Sequence, residues 1–109
     1  GDTLRNLGAT EVTEANQYLL DNVVQPGLEA AADETMVVQL AVSLESLAAA
    51  TYAKAAGVLT TPELRQTIMS IGGVEARHLA VLYGVLGTSQ TPTPFLRTGA
   101  AAPELAYVD

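Results

Sequence analysis

Cysteine and tryptophan are absent from the 109 residues, and phenylalanine occurs once. The lack of cysteine excludes disulfides, thiolate zinc sites and cysteine nucleophiles. Lys and Arg number five against twelve Asp and Glu, giving a net charge of −7, so the chain offers no basic patch for nucleic acid or anionic membranes. No apolar run approaches the roughly 18 residues of a membrane span, and no signal peptide is visible. The chain begins with Gly1, which leaves room for a targeting segment or an upstream half-domain before it.

Hydrophobic residues make up 49% of the chain, and most of them are Ala, Val and Leu. Such a composition suits close-packed helices better than a β-sandwich. We therefore predict an all-α fold with one small domain over residues 1–109. A hydrolase is disfavoured, because no serine has an evident histidine and acid around it and no Gly-rich phosphate loop follows a strand.

Three regions follow one another along the chain. Residues 1–33 are predicted to form an arm with one short helix, capped by Thr13 and interrupted by Pro26 and Gly27. Its apolar residues at helical spacing are Val12, Ala15, Leu19 and Val23. Residues 34–87 are predicted to form a helical hairpin, and residues 88–109 an extended tail.

Capping residues define the hairpin. Asp33 is a good N-cap for the first helix, with Glu34 in its first turn, and Gly57 is a natural residue to end it. Thr60 or Thr61 is predicted to cap the second helix, with Pro62 in the first turn and Glu63 completing a capping box with Thr60. This helix is predicted to continue to Gly87, and the short connection makes the two helices antiparallel neighbours.

No long helix is predicted after Gly87, because Pro92, Pro94 and Pro103 would interrupt it. Four larger apolar residues predict that this tail lies against the rest of the fold: Phe95, Leu96, Leu105 and Tyr107.

Ionisable residues interrupt the apolar stripe of each predicted hairpin helix. The first stripe contains Glu45 among Val38, Ala41, Val42, Ala48, Ala49, Tyr52 and Ala56. The second contains Glu75 and His78 among Leu64, Ile68, Ile71, Leu79, Leu82 and Leu86. Neither stripe holds a Lys or Arg that would neutralise the acids.

The helical rise places these residues at one height. Glu45 comes about 18 Å before the turn at Gly57, and Glu75 about 21 Å after Thr61, at 1.5 Å per residue. The two carboxylates are therefore predicted to be level across the antiparallel pair, with His78 one turn further on the same face as Glu75.

Two facing carboxylates in an apolar core need a proton or a cation between them. Glu from one helix with Glu-x-x-His from its neighbour is the ligand set of di-iron and di-manganese carboxylate bundles, so Glu45, Glu75 and His78 are predicted metal ligands. The alternative is a metal-free polar network of the same three residues with water and Tyr52. Tyr52, two turns after Glu45, is predicted to lie next to the ligands. Gly72 and Gly73 suggest close approach of a helix or a local distortion.

Two segments carry a family resemblance: SLESLAAATY and, about thirty residues later, MSIGGVEARHLAVLYGVLG. With the ending TPTPFLRTGAAAPELAYV, they make the chain resemble the ferritin-like superfamily, and more narrowly the exported actinobacterial ferritin-like domain proteins. The resemblance is best from about Val37 to Val108, with the earlier residues resembling the connection before the third bundle helix. It implies that the hairpin is the third and fourth helices of a four-helix bundle.

The resemblance further implies a di-iron-type site, with manganese as the alternative metal, that binds and oxidises Fe(II). Glu45, Glu75 and His78 would be the ligands, with Tyr52 beside them, and an extracytoplasmic or secreted location is implied. Only half of the ligand set is present, and Leu40, Leu44 and Leu47 add a second apolar edge to the first helix. We therefore expect a partner, either a second copy in a homo-oligomer or an N-terminal half-bundle. The alternative function is a metal-free structural or interaction module with the same fold.

Overall fold

A computed structural model describes residues 5–6, 8, 10, 13–89 and 98–106. Every regular element in these ranges is helical, as predicted. Two long helices, α3 (Glu34–Val58) and α4 (Pro62–Val85), pack together as a hairpin. Before them come α1 (Gln17–Leu19), a π-helical turn (Leu20–Val24) and α2 (Gln25–Ala30), and after them two 3₁₀ turns, Thr98–Ala100 and Glu104–Ala106.

Helix α3 begins as predicted. Asp33 is the N-cap, and its side chain accepts a 2.9 Å hydrogen bond from the backbone N–H of Met36. Its end differs from the prediction, because Gly57 is helical and the helix continues through Val58 to a C-cap at Leu59. The reason is that Gly57 does not adopt the positive φ that ends a helix, so it acts as an ordinary helical residue.

Helix α4 differs from the prediction at both ends. Thr61 is the N-cap, but its side chain makes no capping hydrogen bond, so the predicted capping box does not form. Instead, the Arg65 side chain donates to the carbonyl of Leu59 and so ties the short connection to the first turn. The helix ends at Val85, before the predicted Gly87.

Gly87 is the residue that terminates α4. It has a φ of +69°, and its N–H donates to the Gly84 carbonyl at 3.1 Å while the Thr88 N–H donates to the Tyr83 carbonyl at 3.0 Å. This is the Schellman arrangement, in which a glycine just beyond the helix takes the left-handed conformation and satisfies the last carbonyls.

The arm forms a longer helical segment than predicted. Asn16, and not Thr13, is the cap, since its side chain accepts a 3.0 Å bond from the Leu19 N–H. Pro26 and Gly27 lie inside α2 and do not interrupt the helix. The proline is tolerated because it falls in the first turn of α2, where its missing N–H is not needed, directly after the widened π turn. Val12 lies outside the described residues.

The described part of the tail packs on α3 through alanines, and Leu105 does not take part as predicted. Ala102 and Ala106 are buried, whereas Leu105 is 74% exposed. The Ala102 N–H donates to Thr51 Oγ1 at 2.8 Å, and the Asn16 side-chain amide donates to the Ala106 carbonyl. The tail therefore joins α3 to the arm. Phe95, Leu96 and Tyr107 lie outside the described residues.

The packed interior is made of alanine. Among the described residues the buried hydrophobic side chains are Ala49, Ala50, Ala102 and Ala106, and no large side chain is fully buried. The first two lie on α3, where small side chains let neighbouring segments come close. Half-buried residues of the two predicted stripes extend this contact along the hairpin.

By length and composition, α3 is apolar enough to cross a membrane, contrary to the expectation from uninterrupted apolar runs. The two results differ because Glu45 and a few short polar residues interrupt the apolar run of α3. The average hydropathy of the helix nevertheless stays as high as that of a membrane-spanning segment. A core helix of a soluble protein can have the same length and composition. Glu45 lies near the middle of this helix and faces two ionisable residues of α4, which fits an interior bundle helix.

Candidate metal centre

The structure brings together the three residues predicted from the sequence. Glu45 comes from α3, and Glu75 and His78 come from successive turns of α4. His78 Nδ1 lies 3.3 Å from Glu45 Oε2 and 3.4 Å from Glu75 Oε2. The three residues come together because the rise per residue is the same in both antiparallel helices. It places Glu45 and Glu75 at the same height along the pair.

Exposure of the three side chains increases from one side of the site to the other. The Glu75 side chain is 17% exposed, that of Glu45 is 29% exposed, and that of His78 is 53% exposed. The carboxylates are thus partly desolvated between the helices, while the imidazole lies at the edge. The site therefore opens to its surroundings on the side of α4 that carries His78.

The two carboxylates influence each other directly. The pKa of Glu75 is raised above its ordinary value of 4.5 because its side chain hydrogen-bonds with Glu45, and burial and the negative charge of Glu45 raise it further. His78 opposes this rise through its charge and its hydrogen bond. Protonation of Glu75 permits the hydrogen bond with Glu45 and removes the repulsion between two charges, so the charged form of Glu75 is disfavoured.

The donor atoms are suited to a divalent cation. Each of the three residues offers one ligand atom, and these atoms all lie within 4.8 Å of one another. In the part of the chain that the structure describes, this is the one group of three or more such side chains. Carboxylate oxygens with an imidazole nitrogen suit Fe, Mn or Zn, and a cation between the acids would relieve the repulsion between them. Three donors leave such an ion with open coordination positions.

Tyr52 lies two turns after Glu45 on α3, and the paired glycines lie within one turn before Glu75 on α4. A Cβ built on Gly72 would lie 3.5 Å from Tyr52 Cβ, so α4 passes close to α3 at this buried glycine. Gly73 is exposed, with nothing within 4 Å of its built Cβ, and α4 continues through both glycines without distortion. Close helix approach is therefore the explanation for Gly72 only. A role for Tyr52 beside a metal stays a prediction.

The sequence interpretation missed the surface around the opening of the site. Val81 and Val85, which follow His78 on α4, are each 67% exposed. The sequence could have indicated this surface, because residues three and seven positions after His78 lie on the same side of α4 as His78.

Comparison with known proteins identifies the family. A sequence profile described as a ferritin-like domain matches residues 2–88. No curated protein and no solved structure matches the chain. The match includes the arm as well as the hairpin, so the family likeness begins earlier than the predicted Val37, and it ends before the tail. The narrower likeness to exported actinobacterial proteins stays a prediction. Since the profile covers most of the sequence, the chain belongs to the ferritin-like domain family.

Proposed function

We propose that this chain binds Fe(II) through Glu45, Glu75 and His78 and supports its oxidation once the site is completed by further ligands. The observation that carries the proposal is the convergence of two carboxylates and an imidazole nitrogen within 4.8 Å. Membership of the ferritin-like family supports iron as the metal. The further ligands would come from a second copy of the chain or from an upstream half-bundle.

Each residue has a distinct task in this proposal. Glu45 and Glu75 would supply two negative charges, which balance one divalent ion, and hard oxygen donors that tolerate both Fe(II) and Fe(III). His78 would add a neutral nitrogen donor on the exposed side. Bound iron would supply one-electron chemistry toward dioxygen or peroxide. Tyr52, packed against Gly72, would lie next to the ligands and could hydrogen-bond with them.

The proposal is tested by anaerobic titration of the purified chain with Fe(II), followed by metal analysis and by the ultraviolet absorbance change when air is admitted. We expect about one iron per chain. Glu75→Gln and His78→Ala should each weaken binding by at least tenfold, because each removes a donor. Glu63→Gln, an exposed acid on the same helix, is the matched control and should bind like the wild type. Absence of stoichiometric iron after Fe(II) incubation would contradict the proposal.

A metal-free structural module is the second candidate. It is supported by the contact of His78 with both acids and by the raised pKa of Glu75, because interactions among the three groups can replace those with an ion. The double variant Glu45→Ala, His78→Ala distinguishes the candidates. Unchanged or raised thermal stability, together with no response to Fe(II) in the wild type, would favour the structural module.

A further inference from the structure

We propose that residues 98–106 form a strap that closes over one edge of α3 and holds the arm there, so that arm and strap open as one unit while the hairpin stays paired. This inference does not depend on metal binding. The edge in question consists of Leu40, Leu44 and Leu47, continued by Thr51 at helical spacing, and we call it the leucine edge.

The chain itself covers the leucine edge at both ends. At one end, a Cβ built on Gly27 of α2 would lie 2.5 Å from Leu40 Cδ1, so the arm rests directly on this leucine. At the other end, Thr51 Oγ1 accepts a 2.8 Å hydrogen bond from the Ala102 N–H, and Ala102 is 4% exposed. The sequence indicated that this edge needs a partner, and at these two points the arm and the strap take that place.

Contacts among the arm, the strap and α3 form a closed ring. The first turn of the strap, Thr98–Ala100, contacts α3, and its second turn, Glu104–Ala106, contacts α1. Helix α2, which follows α1 along the arm, returns the ring to α3. Groups that share one network of contacts affect one another, so the loss of any link in this ring weakens the others.

Asn16 is the link between the arm and the strap. Its side-chain oxygen accepts a 3.0 Å hydrogen bond from the Leu19 N–H and so caps α1. Its side-chain nitrogen donates to the Ala106 carbonyl at the end of the strap. Because both atoms belong to one planar amide, the same orientation of this side chain serves both bonds. The start of the arm helix is therefore coupled to the docking of the strap.

The strap is held by few interactions. Its buried side chains, Ala102 and Ala106, are single methyl groups, and Leu105 is 74% exposed. Hydrogen bonds join it to Thr51 and Asn16. The hairpin, in contrast, packs along helices of 25 and 24 residues. Segments with few buried apolar contacts open at a lower free energy than the core, so the arm and the strap are expected to open before the hairpin.

Hydrogen exchange of the full chain tests the strap. In the wild type, the amides of α2 and of Ala102 should share one level of protection, at least about tenfold below that of the α4 amides. Asn16→Asp keeps an oxygen acceptor for the Leu19 N–H and removes the donor to the Ala106 carbonyl, so the cap of α1 is retained. We expect this variant to accelerate exchange at Ala102 at least about fivefold.

Two further variants complete the experiment. Thr51→Val tests the coupling from the other end and should accelerate exchange in α2. Asn22→Asp is the matched control, because Asn22 is exposed and its amide donates to the Tyr18 carbonyl at 2.8 Å within the arm. It makes the same chemical change as Asn16→Asp at a bond inside the arm, and exchange at Ala102 should remain as in the wild type.

Thiol labelling provides an independent measurement, because the chain has no native cysteine. The thiol of Leu40→Cys lies beneath α2 and should react with a maleimide faster when Asn16→Asp is added, but not when Asn22→Asp is added. Exchange at Ala102 that responds to Thr51→Val but not to Asn16→Asp would overturn the inference, because arm and strap would then open separately. Equal protection of Ala102 and α4 in the wild type would also overturn it, because the strap would then open only with the whole fold.

Discussion

Glu75 joins the chemistry of the site to the stability of the fold. It is the least exposed of the three predicted ligands, and its hydrogen bond with Glu45 is the first cause of its raised pKa. Because the folded chain holds this proton more tightly than the unfolded chain, folding is favoured by protonation of Glu75. This contribution is fully present below about pH 4.5 and is lost as the pH rises through the raised pKa.

We therefore predict a specific effect of Glu75→Gln on the metal-free protein. Glutamine resembles the protonated acid, so the variant should be at least as stable as the wild type at pH 7 and should lack this part of the pH dependence. Urea unfolding from pH 4 to pH 8 in the presence of a chelator measures the difference between the two proteins. If the wild type gains stability over the variant as the pH rises, the raised pKa of Glu75 is contradicted.

The candidate site was predictable residue by residue because it depends on quantities that are the same in every helix. The rise per residue placed Glu45 level with Glu75, and the spacing of three residues placed His78 on the same face. The exposure of each side chain was not predictable. Exposure depends on which other segments pack over each helix. The spacing of residues within one helix carries no information about those segments.

The two long helices begin with different capping chemistry. Asp33 accepts a hydrogen bond from the Met36 N–H, while Thr61 has the extended backbone of a cap but no capping side-chain bond. Sequence reasoning treats both as good caps, since residue type sets the preference. It could not show that Arg65 fixes the start of α4 through the Leu59 carbonyl.

This difference predicts unequal effects of two alanine substitutions. Asp33→Ala should lower the free energy of unfolding by about 1 kcal/mol, because an N–H in the first turn of α3 loses its acceptor. Thr61→Ala should change it by less than about 0.5 kcal/mol, since no bond is removed. Chemical denaturation followed by circular dichroism measures both. Equal losses would mean that the Thr61 hydroxyl caps α4 in solution.

Turn geometry explains why the arm was the least predictable element. The sequence favoured a break at Pro26 and Gly27, yet both residues lie in α2. The π turn before them adds one residue to a helical turn, and the Gln25 N–H reaches the Leu20 carbonyl, five residues back. A Cβ on Gly27 would lie 2.5 Å from Leu40 Cδ1, so the glycine is explained by packing on α3. Local sequence does not reveal such a contact.

The tail and the arm both pack on α3. The Thr51 hydroxyl accepts from the Ala102 N–H and donates to the Leu47 carbonyl, and so connects the tail to the helix. The family match ends at residue 88, so this tail lies beyond the part of the chain that the family profile covers. The three candidate ligands, by contrast, all lie within the matched residues.

We predict that Thr51→Val loosens the tail without altering the site. Loss of the hydroxyl leaves the N–H of the buried Ala102 without its acceptor, which should reduce the free energy of unfolding by about 1–3 kcal/mol. Ser43→Ala is the control, because the Ser43 hydroxyl is exposed and bonds only within α3, to the Gln39 carbonyl. Hydrogen exchange at Ala102 and urea unfolding measure the effect. Unchanged protection at Ala102 would show that the tail does not depend on this bond.

The alanine interior has a consequence for how the sequence can change. Each of the four buried hydrophobic side chains in the described part of the molecule is a single methyl group. Trimming Ala49 or Ala50 to glycine costs about 1 kcal/mol in helix propensity, while enlarging any of the four positions forces helices or tail apart, at about 1–3 kcal/mol for each overpacked site. The centre of the fold therefore tolerates neither smaller nor larger side chains well. Random mutagenesis should recover serine at Ala49 and Ala50 more often than valine or leucine.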